Sequence, residues 1–192
     1  RELFQEKPVV STKDRRLLRD LAKRVAEVAA LPVMAERRER WVQHNSLRDG
    51  RPMILIFPEG AWRVLVPETS LRCVGEEARR MELALRRALY YHDHFQDDTV
   101  VEREWPVHKV VRETGWGLEP RRIPSPSPLG AWKFDPVFRS ASDLEKLTLP
   151  EVTYDDVATQ KRLAQAQELF GNILDVRLRG VCHVSFHLMA QY

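Results

Sequence analysis

Cysteine is scarce in this chain. The two present, Cys73 and Cys182, are far apart and suggest no disulfide framework. With no signal peptide in view they read as reduced thiols, and the expected compartment is the cytoplasm. Long apolar runs are missing as well: none approaches the roughly 18–20 residues that span a bilayer, so no membrane partner is expected. No sign of charge dominates. The formal net charge is +3 and the pI near 9, but acids and bases alternate along the chain. That mixture gives no reason to expect nucleic acid as a partner. No internal repeat is evident. The chain opens at Arg1 rather than methionine, and its start is expected upstream. What remains is an ordinary soluble composition, 43% hydrophobic and 31% charged, in 192 residues, which is long enough to bury a real core.

Helical signals come first. Ser11 and Thr12 can cap a helix carrying Leu17, Leu18, Leu21, Val25, Val28 and Ala29 at helical spacing. Pro32 suits the first turn of a second helix running to about His44. Its cluster Arg37, Arg38 and Arg40 could meet an anionic partner, but Glu36 and Glu39 interleave, which favours a solvated helix face. Asn45 to Gly50 is turn chemistry. Met53-Ile54-Leu55-Ile56-Phe57 then runs apolar without alternation, as strands buried on both faces do. A long helix is predicted from about Glu76 to His94.

The next stretch concentrates the chemistry. Asp97-Asp98-Thr99-Val100-Val101-Glu102-Arg103-Glu104-Trp105-Pro106 begins with β-branched residues and ends in acids. It predicts a strand over about residues 98–104, with Glu102 and Glu104 on one face and Arg103 on the other. Residues 105–140 break the rhythm: Ile123-Pro124-Ser125-Pro126-Ser127-Pro128 can be neither helix nor central strand. That insertion reads as loops with short hairpins, serving either as a cover over a pocket or as a proline-rich ligand for a partner domain. Ser142-Asp143-Leu144-Glu145 has capping-box form, a helix is expected from about Asp155 to Phe170, and a strand over 173–178. Val181 to Tyr192 reads as a loop entering a helix. Strands alternating with helices imply an α/β fold with a parallel sheet. The choice is between an open sheet and the front of a barrel, since a full eight-stranded barrel needs about 250 residues.

The order of these short motifs resembles the uroporphyrinogen decarboxylase superfamily over roughly residues 12–192. Asp143-Leu144-Glu145-Lys146-Leu147 with Pro150-Glu151-Val152 looks like its connector before the third barrel helix. Asp98 to Glu104 is similar to its second strand, which ends in a catalytic acid. The 173–178 strand and the Gly180 to Tyr192 segment fit the next strand and loop. The Trp41 to Asn45 helix end, and Pro52 to Pro67 with Pro58-Glu59-Gly60-Ala61-Trp62, look like a less characterised, decarboxylase-like branch. The resemblance implies the N-terminal portion of a (β/α)8 TIM barrel, apparently truncated. Residues 1–50 would be an N-terminal helical extension, and 51–192 the first part of the barrel. The two leading helices would cap the barrel bottom or mediate a homodimer.

Barrel chemistry sits where strands exit. The expected exits are Glu59, the pair Glu102 and Glu104, and Cys182 with His183. By the resemblance Glu104 takes the place of the superfamily's catalytic aspartate, with Glu102 and His183 as further catalytic candidates. Glu59, Trp62, Arg63, Trp105 and His187 would line the substrate. Glu104 paired with Arg103 or Arg112 as a structural ion pair is the alternative. The tryptophans could line a pocket for a flat ligand or fill core. Where the decarboxylases carry an Arg-Gln-Ala-Gly-Arg-Tyr signature, this chain reads Phe57-Pro58-Glu59-Gly60-Ala61-Trp62-Arg63. Exchanging cation for anion there disfavours a poly-carboxylate substrate. Methyl transfer involving a corrinoid protein is therefore expected ahead of uroporphyrinogen-type decarboxylation, with a non-catalytic or truncated binding module as the remaining class. No metal site or cofactor is identifiable in this chain. His92-Asp93-His94, and Cys182-His183 with His187, are ordinary His placements more readily than ligands. Zinc and corrinoid would enter through the later barrel half.

Overall fold

The computed structural model describes residues 10–48, 50–119, 121–127 and 130–180. These carry mixed helix and strand in small sheets, and divide into two compact units. The first comprises residues 1–106 and 164–177, the second 107–163 and 178–192. The first helix shares its core with a helix beyond residue 50.

In the first unit, α1 (Thr12–Ala29) starts at Ser11, whose hydroxyl accepts from Asp14 N at 3.1 Å. Ser11→Ala is expected to cost about 1 kcal/mol, the usual worth of such a cap, measured by urea unfolding. Leu18, Leu21, Ala22 and Val25 form its buried stripe. The partner is α4 (Glu76–His94), which buries Ala78, Glu82, Leu85 and Leu89, again at helical spacing. Between them lie α2 (Pro32–Asn45), opened by its proline, and the single turn α3 (Trp62–Leu65). Met34 of α2 is fully buried. The core is completed from far along the chain by Leu169, Phe170, Ile173 and Leu174. Two arginines of α2 bind the protein itself: Arg37 donates to Thr99 O at 2.9 Å and Arg38 pairs with Glu102 at 2.8 Å.

The apolar run at 53–57 departs from the expected buried strand. It belongs to no sheet, and Ile54, Leu55, Ile56 and Phe57 are 59, 41, 39 and 72% exposed. The reason lies in its neighbour. Asp97 and Asp98 are buried, and their carboxylates, not a backbone ladder, take the amides of the run. Asp98 Oδ2 accepts from Ile54 N at 2.9 Å and Asp97 Oδ2 from Ile56 N at 3.0 Å. Only one backbone bond joins the two segments, Asp98 N to Ile54 O at 2.8 Å.

The expected strand at 98–104 is displaced. Pairing occurs over β1 (Glu104–His108), while 98–103 runs outside any strand. Strand β6 (Asp175–Arg179) pairs with β1 and sits where the sequence placed it. Asp175 N donates to Arg103 O, and Lys109 N donates to Arg179 O. Both numbers rise together, so the strands run in the same direction. The helix before β6, α5 (Asp156–Phe170), also matches its predicted span.

The second unit carries four short strands. Strands β2 (Val111–Glu113) and β5 (Val152–Tyr154) pair antiparallel, with Arg112 opposite Thr153. Strands β3 (Arg121–Ile123) and β4 (Lys133–Asp135) form a hairpin around the proline run, with Arg122 opposite Phe134. Gly117, at φ +82°, lies so near Lys146 O that a Cβ would sit 2.7 Å from it. The capping box is Ser140 with Asp143, not the Ser142 form, and it opens a 3-10 turn at Ala141–Lys146. Arg139 N, Ser140 N and the Lys146 ammonium converge on Asp143; led by Lys146, they hold its carboxyl well below its usual range. Among the described residues these strands form three two-stranded sheets and close no barrel.

Candidate functional site

One cavity of about 370 Å³ brings the acidic stretch to a common wall. Its apolar lining comes from α1, α4 and the chain before β1, with Leu85, Ala88, Val101 and Leu174 prominent. Glu102, Glu104 and Trp105 line it together. Arg103 leaves the wall and donates to Ile173 O at 3.0 Å. Residues of both parities, Thr99, Val100, Val101 and Trp105 among them, line the same wall. The position along the strand departs from the expected one: Glu104 is the first residue of β1 and Glu102 precedes it, so both stand at the amino end rather than the exit.

The two acids differ in surroundings. Glu104 keeps 19% of its side chain exposed, with Arg177 Nε at 3.8 Å from Oε2. Among the described residues Arg177 pairs with it, not Arg103 or Arg112. Arg112 instead binds Asp155 at 3.0 Å. Glu102 is 54% exposed and engages Arg38 through both carboxylate oxygens, at 2.8 and 3.3 Å. That hydrogen bond raises the Arg38 pKa further above its ordinary value, against a smaller opposing effect of burial. An exposed pair of this kind contributes little stability, about 0–1 kcal/mol. Trp105 packs on fully buried Phe170, with ring centroids 4.6 Å apart.

Tyr91 and Arg87 extend the wall. Burial, aided by Asp97, raises the Tyr91 hydroxyl pKa, and the group donates to Ile56 O at 2.9 Å. The Arg87 guanidinium lies 5.1 Å from the centroid of Trp62, and its Nε is buried with no hydrogen-bond partner among the described residues. Sequence reasoning missed Arg87. The available signal was a cation on the largely apolar face of α4, one turn from Tyr91.

The other expected site residues do not join this wall. Trp62 is 9% exposed and fills an aromatic cluster with Tyr90, Tyr91 and Phe95. Glu59 and Arg63 are exposed and line no part of the cavity. Glu59 adopts a left-handed φ of 46° in a 3-10 turn. Trp132 stacks within its own hairpin on Phe134 and under Arg122. His183, His187 and Cys182, with the expected loop and helix after Val181, lie outside the described residues. His94 packs on the Tyr90 ring and Asp93 pairs with Arg24 at 3.8 Å.

Among the described residues no three His, Cys, Asp or Glu side chains converge. Cys73 is buried, and burial, with Glu82 and Asp14 nearby, pushes its thiol up to about 12, so it supplies no thiolate at neutral pH. No helix among the described residues is long and apolar enough to cross a membrane.

No family model, curated protein or solved structure matches this chain.

Proposed function

We propose that the chain is the N-terminal part of a uroporphyrinogen decarboxylase-like barrel enzyme that carries out methyl transfer involving a corrinoid protein. The observation that carries this reading is the placing of Glu104, only partly exposed, on the wall of an apolar cavity beside Trp105. A carboxylate in such surroundings acts more strongly on a cationic or N–H-bearing substrate group than it would in water. Glu102, held by Arg38, would add negative charge at the same wall. Glu59 in place of the family's arginine is the reason to prefer methyl transfer over decarboxylation. In this reading the segments 53–57, about 98–104 and 173–178 would be the first three barrel strands in chain order.

The test assays the protein for methyl transfer to cob(I)alamin and for uroporphyrinogen decarboxylation, in the native chain and in Glu104→Gln. Methyl transfer should be present, and the substitution should lower kcat roughly 100-fold, the scale of losing one preorganised electrostatic contact. Robust decarboxylation would replace the proposal with its rival. A Glu104→Gln variant with unchanged activity and unchanged ligand affinity would make Glu104 a structural partner of Arg177 and favour a binding module.

A further inference from the structure

The cavity beside Glu104 holds a cation that no anion answers. Ala84, Arg87, Ala88 and Tyr91 fall at helical spacing, so one face of α4 forms part of its wall. The polar groups of that face are Arg87 and the Tyr91 hydroxyl, and the hydroxyl is already spent on Ile56 O at 2.9 Å. Arg87 makes no hydrogen bond and no ion pair among the described residues. Its Nε is buried, so bulk water does not take the place of an acceptor there. The Trp62 ring, with its centroid 5.1 Å from the guanidinium carbon, attracts the charge but supplies no oxygen for the N–H donors. An arginine held in this way is partly withdrawn from water without a counter-charge, which is unfavourable until an anion arrives.

The other charges at the cavity are matched. Glu102 engages Arg38 through both oxygens, and Arg177 Nε lies 3.8 Å from Glu104. Neither acid pairs with Arg87. Leu85, Ala88, Val101 and Leu174 give an apolar lining. At about 370 Å³ the space falls within the roughly 300–1,000 Å³ of small-molecule sites. One unmatched guanidinium in such a space calls for one carboxylate on an apolar body. With Nε enclosed, the two terminal nitrogens are the donors left, and their planar fork takes both carboxylate oxygens in parallel. A phosphate monoester would bring a second negative charge to a wall that carries Glu102 and Glu104, and a neutral molecule would leave Arg87 unmatched.

We propose that this cavity binds a small apolar molecule bearing a single carboxylate, held by the Arg87 guanidinium. This deepens the enzyme reading by naming the class of molecule that enters the same site, and it rests on that reading only for the choice of cavity. Binding is measured without turnover, so the two can fail separately.

The 192-residue chain is titrated calorimetrically with phenylpropionate and with isocaproate, and in parallel with the neutral amide of each. The carboxylates should saturate one site, and the amides should bind at least about tenfold more weakly, the scale of one charge-assisted contact. Arg87→Met keeps the length and apolar stem of the side chain. It should weaken the carboxylates about tenfold and erase their advantage over the amides, with no fall in the urea midpoint, since no hydrogen bond or ion pair is lost. Arg87→Lys, which keeps the charge but not the fork, should restore part of the affinity. The Arg87 Nε–H resonance should shift on adding phenylpropionate and stay in place with its amide. Methyl transfer without carboxylate binding would strike this proposal and leave the enzyme reading standing; binding without methyl transfer would do the reverse. Equal affinity for carboxylate and amide would also overturn it. So would an Arg87→Met variant that binds phenylpropionate as the native chain does but unfolds at lower urea, which would assign Arg87 to packing on Trp62.

Discussion

Glu82→Ala is expected to destabilise the first unit by about 3–5 kcal/mol, the scale for stripping one partner from a buried ion pair. The Glu82 side chain is fully buried. Its two oxygens accept from Arg72 N at 3.0 and 2.9 Å, from Cys73 N at 2.8 Å and from Arg86 Nε at 2.8 Å. Burial alone would raise this carboxyl's pKa. The donors more than offset it, Cys73 N and Arg86 foremost, so the net shift is downward and the group stays charged. Alanine would leave two backbone amides and a guanidinium facing an apolar core without their acceptor. Urea unfolding measures the loss, and Glu82→Gln, which keeps one acceptor oxygen, should lose less. A loss below about 1 kcal/mol would mean that the 72–73 loop reaches water when the carboxylate is removed.

Asp98 should make the protein acid-labile in a defined window. Its carboxyl, buried and bidentate to Arg51, is held down to about 2, chiefly by that hydrogen bond and further by Ile54 N. The ordinary value is 3.8. Folding therefore favours the charged form: the stabilisation is complete above about pH 4 and is lost as the pH falls through about 2. Asp98→Asn should destabilise the protein at neutral pH, because the buried carboxylate that Arg51 and Ile54 N bind loses its charge. Its stability should then change less between pH 5 and pH 2.5 than that of the native chain. Urea midpoints at the two values decide this. Parallel losses in both proteins would assign the acid sensitivity to other carboxyls.

The helices were legible because their signals are local. Ser11, Pro32 and Gly171 punctuate them, and the spacing of Leu18, Leu21 and Val25 sets the buried face. The strand at 175–179 was legible for the same reason, with Val176 and Leu178 alternating with charged residues. The 53–57 run was not. Its apolar composition speaks to burial, but pairing depends on what supplies the acceptors, and here two side-chain carboxylates do so from 41 to 44 residues away. No rule of composition anticipates that substitution. Glu82 was hidden for the opposite reason: an acid on the buried stripe of a helix reads as an interruption until its three donors are in place.

The cavity wall was half legible. Glu102 and Glu104 line one wall and Arg103 does not, but Val100, Val101 and Trp105 line it too, so simple alternation does not describe it. The strand boundary was misplaced by several residues because Asp97 and Asp98 look like a strand entrance while serving as backbone acceptors. Trp62 and Trp105 show the limit of reading aromatics by type. One fills a cluster and the other lines the cavity, and only the packing of Tyr90 and Phe170 separates them.

The discontinuity of the first unit bears on how the chain is made. Its core joins Leu18, Val25 and Leu85 to Leu169, Phe170 and Leu174, and all of residues 107–163 come between. During synthesis the amino-terminal helices emerge long before the residues that seal them. At about 5–20 residues per second the nascent core waits several seconds with Met34 and Val101 unsealed. Loop closure across that distance must precede its stabilisation, so folding of this unit is bound to be late and non-local. A ribosome-bound chain halted before Leu169 presents an apolar face that holdase chaperones recognise, and one released beyond Leu174 does not.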